Sequence, residues 1–140
     1  GRGCIVRHGA YVRADTLAGE NCIIGHASET KNAILLPGSS AAHFAYVGDS
    51  ILGNRVNLGA GVKLANFRLD GGQITVRANN QKYATGLNKL GAILGDDCQL
   101  GCNSVCNPGT LLGPRSVVYA LTSVSGYHAA GSILKSPSIA

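Results

Sequence analysis

From Leu94 onward an apolar side chain returns at every sixth position: Leu94, Leu100, Cys106, Leu112, Val118 and Val124 keep the interval without a slip. Four residues after each of the first five stands a small side chain, namely Cys98, Ser104, Thr110, Ser116 and Thr122, and glycine directly follows Leu94, Leu100 and Leu112. The N-terminal part obeys the same rule. It places Val6, Val12, Ala18, Ile24, Thr30 and Leu36 at the aliphatic position and Ala10, Thr16, Cys22, Ser28 and Ser40 at the small one, with Ile34 as the departure. In the centre the pattern continues as Leu52-Gly53, Leu58-Gly59 and Leu64-Ala65, whereas Val47-Gly48 falls one residue short, which marks a locally tightened turn.

A period of six cannot be an amphipathic helix at 3.6 residues per turn, and simple two-residue alternation leaves the recurring glycine unexplained. A parallel β-solenoid accounts for both: each hexapeptide supplies a short strand and a turn, three make one triangular coil, and the aliphatic residues stack inward from coil to coil. Composition agrees. Twenty glycines, two phenylalanines and no tryptophan or methionine leave Val, Ile, Leu, Ala and Cys to fill small repeated layers. The expected fold class is therefore all-β, and hexapeptide repeats of this form resemble the left-handed parallel β-helix family. The hand is what the resemblance implies.

The 140 residues read as one domain, 1–140. The period fails over about 68–91, where Gln73-Ile74-Thr75-Val76-Arg77 and Gln81-Lys82-Tyr83-Ala84 read as two short alternating strands around Ala78-Asn79-Asn80. This is one inserted hairpin-like loop, and loops carried on rigid scaffolds often carry function. After Val124 the repeat degrades, so 126–140 is expected to be an irregular tail, with Ser136-Pro137-Ser138 its clearest part.

No charged segment followed by an apolar run reads as a signal peptide, and no apolar stretch approaches membrane-spanning length. Five cysteines, odd in number and mostly at small apolar positions, fit a reducing cytoplasm. Cys98, Cys102 and Cys106 lack a second pair or histidines at zinc-site spacing, so no metal is expected. The net charge of +5 favours an anionic partner. Its basic residues are scattered and do not interleave with aromatics, so nucleic acid is not expected, and phosphorylated small molecules explain the charge equally well.

The polar exceptions concentrate between Glu29 and Arg68. Ala41-Ala42-His43-Phe44-Ala45-Tyr46-Val47-Gly48-Asp49, followed by Asn57-Leu58-Gly59-Ala60-Gly61, resembles the C-terminal acetyltransferase domain of the bifunctional UDP-N-acetylglucosamine pyrophosphorylase/glucosamine-1-phosphate N-acetyltransferase family. The archaeal-type sugar-phosphate nucleotidylyltransferases that end in such a domain are similar too. The resemblance runs from about Arg13 to Ala120 and matches residues at their spacings. It implies His43 as the catalytic base, and Arg13, Glu29, Lys31, Tyr46, Asn57 and Lys89 as sugar-phosphate contacts. For acetyl-CoA it implies Ala60, Asn66, Phe67, Cys102 and Ala120, with Lys135 a looser match. Phe67 replaces a common tyrosine and Cys102 a common serine. It further implies a cytoplasmic homotrimer; with no N-terminal nucleotidylyltransferase domain in this sequence, the chain reads as either a free-standing enzyme or an excised C-terminal domain.

Those residue types suit the chemistry. Attack on a thioester needs a neutral amine, and an imidazole, which titrates at about 6.5, can take its proton near neutral pH. His43 fits that role. Backbone N–H groups of Gly59-Ala60-Gly61 can hold an oxyanion, and Arg13 with Lys31, eighteen residues apart and hence one coil apart, can clamp a phosphate. His8, His26 and His128 read as structural or surface residues, and Lys63 and Lys82 as solvated. A non-catalytic trimerisation or regulatory module of a nucleotidylyltransferase is the alternative. A metal-dependent carbonic anhydrase on the same architecture ranks last, because His26 and His43 lie seventeen residues apart where a close histidine pair is needed.

Overall fold

Short parallel strands stacked coil on coil form a three-faced prism in the computed structural model, which describes residues 1–136; no helix occurs among them. The first face is a 7-stranded sheet running from Ile5–Val6 through Ile23–His26, Ser40–His43, Asn57–Leu58, Gln99–Leu100 and Val117–Val118 to Ile133–Leu134. The other two faces form one continuous sheet, because the strands Glu29–Leu35 and Tyr46–Leu52 run unbroken around the corner between them. On the second face Tyr11, Glu29, Tyr46 and Lys63 are successive register partners, and on the third Leu17, Ile34, Ile51, Ile93 and Leu111 are.

Inside, each face contributes one column of stacked side chains. Ile24, Ala41, Leu58, Leu100 and Val118 line the first face, Thr30, Val47, Leu64, Cys106 and Val124 the second, and Leu35, Leu52, Leu94 and Leu112 the third, all buried. Each such leucine or valine contributes about 1.5–3 kcal/mol by leaving water. The small positions have a separate task. Ser39 Oγ donates to the Leu36 and Gly53 carbonyls at 2.6 and 2.7 Å, Thr110 Oγ1 to Asn107 O at 2.7 Å and Ser116 Oγ to Gly113 O at 2.7 Å. Buried hydroxyls thus satisfy turn carbonyls that the strands leave free.

From Leu94 to Val124 every residue expected inside is inside. The N-terminal register needs correction. Leu35, Ser39 and Ala33 are buried, while Leu36 and Ile34 are 37% and 38% exposed. A residue is lost from the period at Asn32 as well as at Asp49, the two left-handed corner residues (φ 45° and 48°) of the continuous strands, so two coils are seventeen residues long. Val6 and Val12 point inward as expected but stay exposed, because they stack on a coil from one side only.

The insertion is a hairpin: Thr75–Ala78 pairs antiparallel with Gln81–Ala84 about Asn79-Asn80, and Phe67 bridges Lys89 at its base. The expected irregular tail carries two further coil strands. Tyr127–His128 pairs with Leu111-Leu112 and Ile133–Leu134 with Val117-Val118, since Gly126 and Gly131 still provide left-handed turns. Pro137 and Ser138 lie outside the described residues.

Candidate active site

The corner between the first and second faces repeats one motif on every coil: a residue of interest followed by one with positive φ. His8-Gly9, His26-Ala27, His43-Phe44, Ala60-Gly61, Cys102-Asn103 and Ala120-Leu121 occupy it in turn. Backbone bonds tie them together, with Phe44 N–H donating to His26 O, Gly61 N–H to His43 O, Asn103 N–H to Ala60 O and Leu121 N–H to Cys102 O, at 2.8–3.0 Å. The sequence therefore stacks three expected acetyl-CoA residues directly above His43. The His43 ring is exposed and, among the described residues, takes no side-chain hydrogen bond; its neighbour Phe44 lies 6.4 Å away between ring centroids. His8 and His26 stack below it at 6.1 Å, with a His26 ring nitrogen 2.7 Å from His8 O.

Six residues after His43, at Asp49, the chain has crossed the narrow second face and reaches its far edge. Here Arg13 donates to Glu29 at 2.8 Å and lies 5.8 Å from the centroid of the Tyr11 ring. Lys31 pairs with Asp49 at 3.1 Å, Asn32 donates to Asp49 at 2.8 Å, and Asn66 reaches both Asp49 and, at 3.1 Å, the Tyr46 hydroxyl. Burial pushes the Asp49 carboxyl up, but hydrogen bonds from Asn32, Asn66 and Lys31 outweigh it and hold the group below the usual carboxylate range. Arg13 and Lys31 do occupy equivalent positions on neighbouring coils, as their spacing demanded, yet each is held by an acid. Lys89 and Asp49 line a common cleft of about 460 Å³ under the inserted loop, together with Leu17, Ile34 and Ile51.

A second hollow, about 440 Å³, runs along the first face and is lined by Asn57, Gly59, Cys102, Tyr119 and Ala120. The expected site residues thus fall into two groups flanking Tyr46. His43, Asn57, Ala60, Cys102 and Ala120 gather on one edge; Arg13, Glu29, Lys31, Lys89, Asn66 and Phe67 gather on the other. Lys135 joins neither and lines a separate hollow with Ser123 and His128.

Sequence reasoning missed Asp49, Asn32 and Lys63. Asp15, Asn32, Asp49 and Asn66 recur every seventeen residues and form one corner column, a signal hidden from a search at six. Lys63 is the register partner of Tyr46 and donates to Gly61 O at 2.6 Å, so it is tied down in the middle of the site. The separation invoked against a histidine pair also reads differently, since seventeen residues is one coil and His26 partners His43. Even so, no group of three or more His, Cys, Asp or Glu among the described residues is placed to hold a metal ion. Cys98 and Cys106 are buried and Cys102 exposed, and burial pushes the Cys106 thiol up to about 12.

Comparison with known proteins bears on both fold and family. The bifunctional sugar-1-phosphate nucleotidylyltransferase/acetyltransferase of Sulfurisphaera tokodaii is 34% identical over 110 residues, which is 79% of this chain and 27% of that protein. A putative uncharacterized acetyltransferase of Escherichia coli K12, YaiX, is 35% identical over 112 residues, 76% of this chain and 49% of its own. The chain thus spans between a quarter and a half of the length of these relatives. The crystal structure of PerB from Caulobacter crescentus, in complex with CoA and GDP-perosamine, superposes with a TM-score of 0.75 at 17% identity, covering 95% of this chain and 54% of that one. This likeness shows the fold to be the left-handed parallel β-helix that the hexapeptide pattern resembles. Residues 2–117 match the family model described as the GMPPB C-terminal domain, and the chain belongs to that family.

Proposed function

We propose that the domain is an acetyl-CoA-dependent N-acetyltransferase acting on an amino-sugar 1-phosphate, with glucosamine 1-phosphate the first candidate. The observation that carries this reading is the stacking of Ala60, Cys102 and Ala120 on the same corner as an exposed His43, with Lys31, Tyr46 and Asn66 hydrogen-bonded across the adjoining edge. Relatives named as acetyltransferases, and a neighbour solved with CoA and an amino-sugar nucleotide, support it.

In this scheme the thioester lies along the hollow between Asn57 and Ala120, and the sugar phosphate across the second face toward Lys31, Arg13 and Lys89. His43 accepts the amine proton as nitrogen attacks the thioester carbonyl; the tetrahedral oxyanion collapses, the C–S bond breaks, and the CoA thiolate takes up a proton. Phosphate binding to Lys31 and Arg13 displaces Asp49 and Glu29 from them, so the acids hold both cations in place before substrate arrives. The sites lie at the interfaces of a homotrimer, and in the whole protein a nucleotidylyltransferase domain precedes this one.

The test follows CoA thiol release with acetyl-CoA and a panel of amino-sugar phosphates. His43→Ala is expected to lower turnover about 100- to 10,000-fold with an unchanged melting temperature; unchanged turnover overturns the assignment.

A second reading rests on the third face, where Leu17, Ile34, Ile51 and Ile93 form an outward aliphatic column, 66%, 38%, 37% and 38% exposed. On this reading the domain is a non-catalytic trimerisation module of a nucleotidylyltransferase. It requires no thiol release with any acceptor and no effect of His43→Ala on assembly.

A further inference from the structure

The inserted hairpin carries charge that acetyl transfer leaves unused. Its turn residues Asn79 and Asn80 have φ of 49° and 59°, the left-handed two-residue turn whose twist suits a hairpin. The register sets Arg77 directly opposite Lys82. With a two-residue turn closed by Ala78 and Gln81, the next pair is the non-hydrogen-bonded kind, in which facing side chains lie closest. Like charges so placed destabilise a hairpin. No Asp or Glu occurs from Gly71 to Gly95, and neither cation forms an ion pair among the described residues. The hairpin holds two positive charges together against its own stability.

Nor is the hairpin loose on the prism. Ile74 is 1% exposed and a Cβ on Gly109 would meet its Cγ2 at 2.9 Å, so the insertion is seated on a bare backbone turn of the coil. A hollow of about 410 Å³ opens between Arg77, Lys82 and the half-exposed ring of Tyr127 on the third face.

We propose that this hollow binds a nucleoside phosphate, with the phosphate between Arg77 and Lys82 and the base against Tyr127. Arg supplies a planar fork and Lys a point charge for phosphate oxygens, and a tyrosine face stacks any base. Asn79, Asn80 and Gln81 line the same hollow and present amide donors and acceptors to the base edge. The site shares no residue with the acetyl-transfer machinery and stands independently of it.

Calorimetric titration of the chain with UDP tests it, a probe chosen because an adenine nucleotide also makes up part of acetyl-CoA and would report the other hollow. Saturable UDP binding is expected, weakened at least tenfold by Arg77→Gln/Lys82→Gln and by higher salt. Tyr127→Leu should weaken UDP severalfold while leaving inorganic pyrophosphate unchanged. Because the double substitution removes a repulsion, its melting temperature should equal or exceed that of the wild type, which separates lost binding from lost structure. No saturable binding, insensitivity to the double substitution, or equal effects of Tyr127→Leu on UDP and pyrophosphate each overturn the proposal.

Discussion

At the scale of single residues the cations of the second face are the sharpest test of substrate class. Lys31 is held by Asp49, so a phosphate must offer it a better partner than a carboxylate already in place. Lys31→Ala should lower kcat/KM for glucosamine 1-phosphate by tenfold to a thousandfold, on the order of a lost charged hydrogen bond of about 1.5–3 kcal/mol or somewhat more, and barely affect free glucosamine. Equal losses on both acceptors would remove Lys31 from the phosphate site. Asp49 makes a pH-dependent claim. Its carboxyl is held low in the folded state, so the stabilisation is fully present above the unfolded value of about 3.9 and is lost as pH falls through the folded one. Asp49→Asn should cost about 1–3 kcal/mol at neutral pH, and its melting temperature should converge on that of the wild type in acid. A gap independent of pH would rule out the charge as the source. His43 and Lys31 stand out as candidates by a match of type and spacing; Asp49 escaped because an acid beside Gly48 looks like an ordinary turn residue until its coil neighbours are known.

At the scale of elements, the strands Glu29–Leu35 and Tyr46–Leu52 decide where side chains point. Their unbroken passage around a corner drops one residue from two successive coils and swaps Leu36 for Leu35 inside. A strict six-residue search locates the slip at Val47-Gly48 and passes over the one at Asn32, because Ser40 follows Ser39 and Leu36 follows Leu35, so either register reads equally well. Gly48 is closely approached by two side chains. A Cβ there would stand 2.5 Å from Tyr46 Oη and 2.7 Å from Asn66 Nδ2. Gly48→Ala should therefore cost about 1 kcal/mol at most, since only two side-chain tips must move aside, and, by parting Tyr46 from Asn66, raise KM for the sugar phosphate more than KM for acetyl-CoA. A stability loss with both KM values intact would show the Tyr46–Asn66 contact to be dispensable. The tail beyond Gly126 escaped the period because Ile133–Leu134 arrives sixteen residues after Val117-Val118, short of three hexapeptides.

On the scale of the whole molecule the third face, part of which lines the cleft with Lys89, bears on assembly. A continuous outward column of Leu and Ile is unusual for a solvated sheet, where outward positions are normally polar. Light scattering at micromolar concentration should give about 43 kDa, three times 14.3 kDa, and Ile51→Glu should dissociate the assembly into single chains. A single-chain mass for the unmodified protein would contradict the trimer.

Because every coil adds one rung along a single axis, chain order and spatial order coincide. Arg13, Lys31, His43 and Asn66 precede the hairpin insertion in both senses, and Cys102 and Ala120 follow it. A crossover between two such genes anywhere within 68–91 would join the N-terminal rungs of one parent, from Arg13 to Phe67, to the C-terminal rungs of another without breaking a coil. The fold is thereby open to recombination that exchanges one end of the prism, with Arg13, Lys31 and His43, while the end with Cys102 and Ala120 is inherited intact.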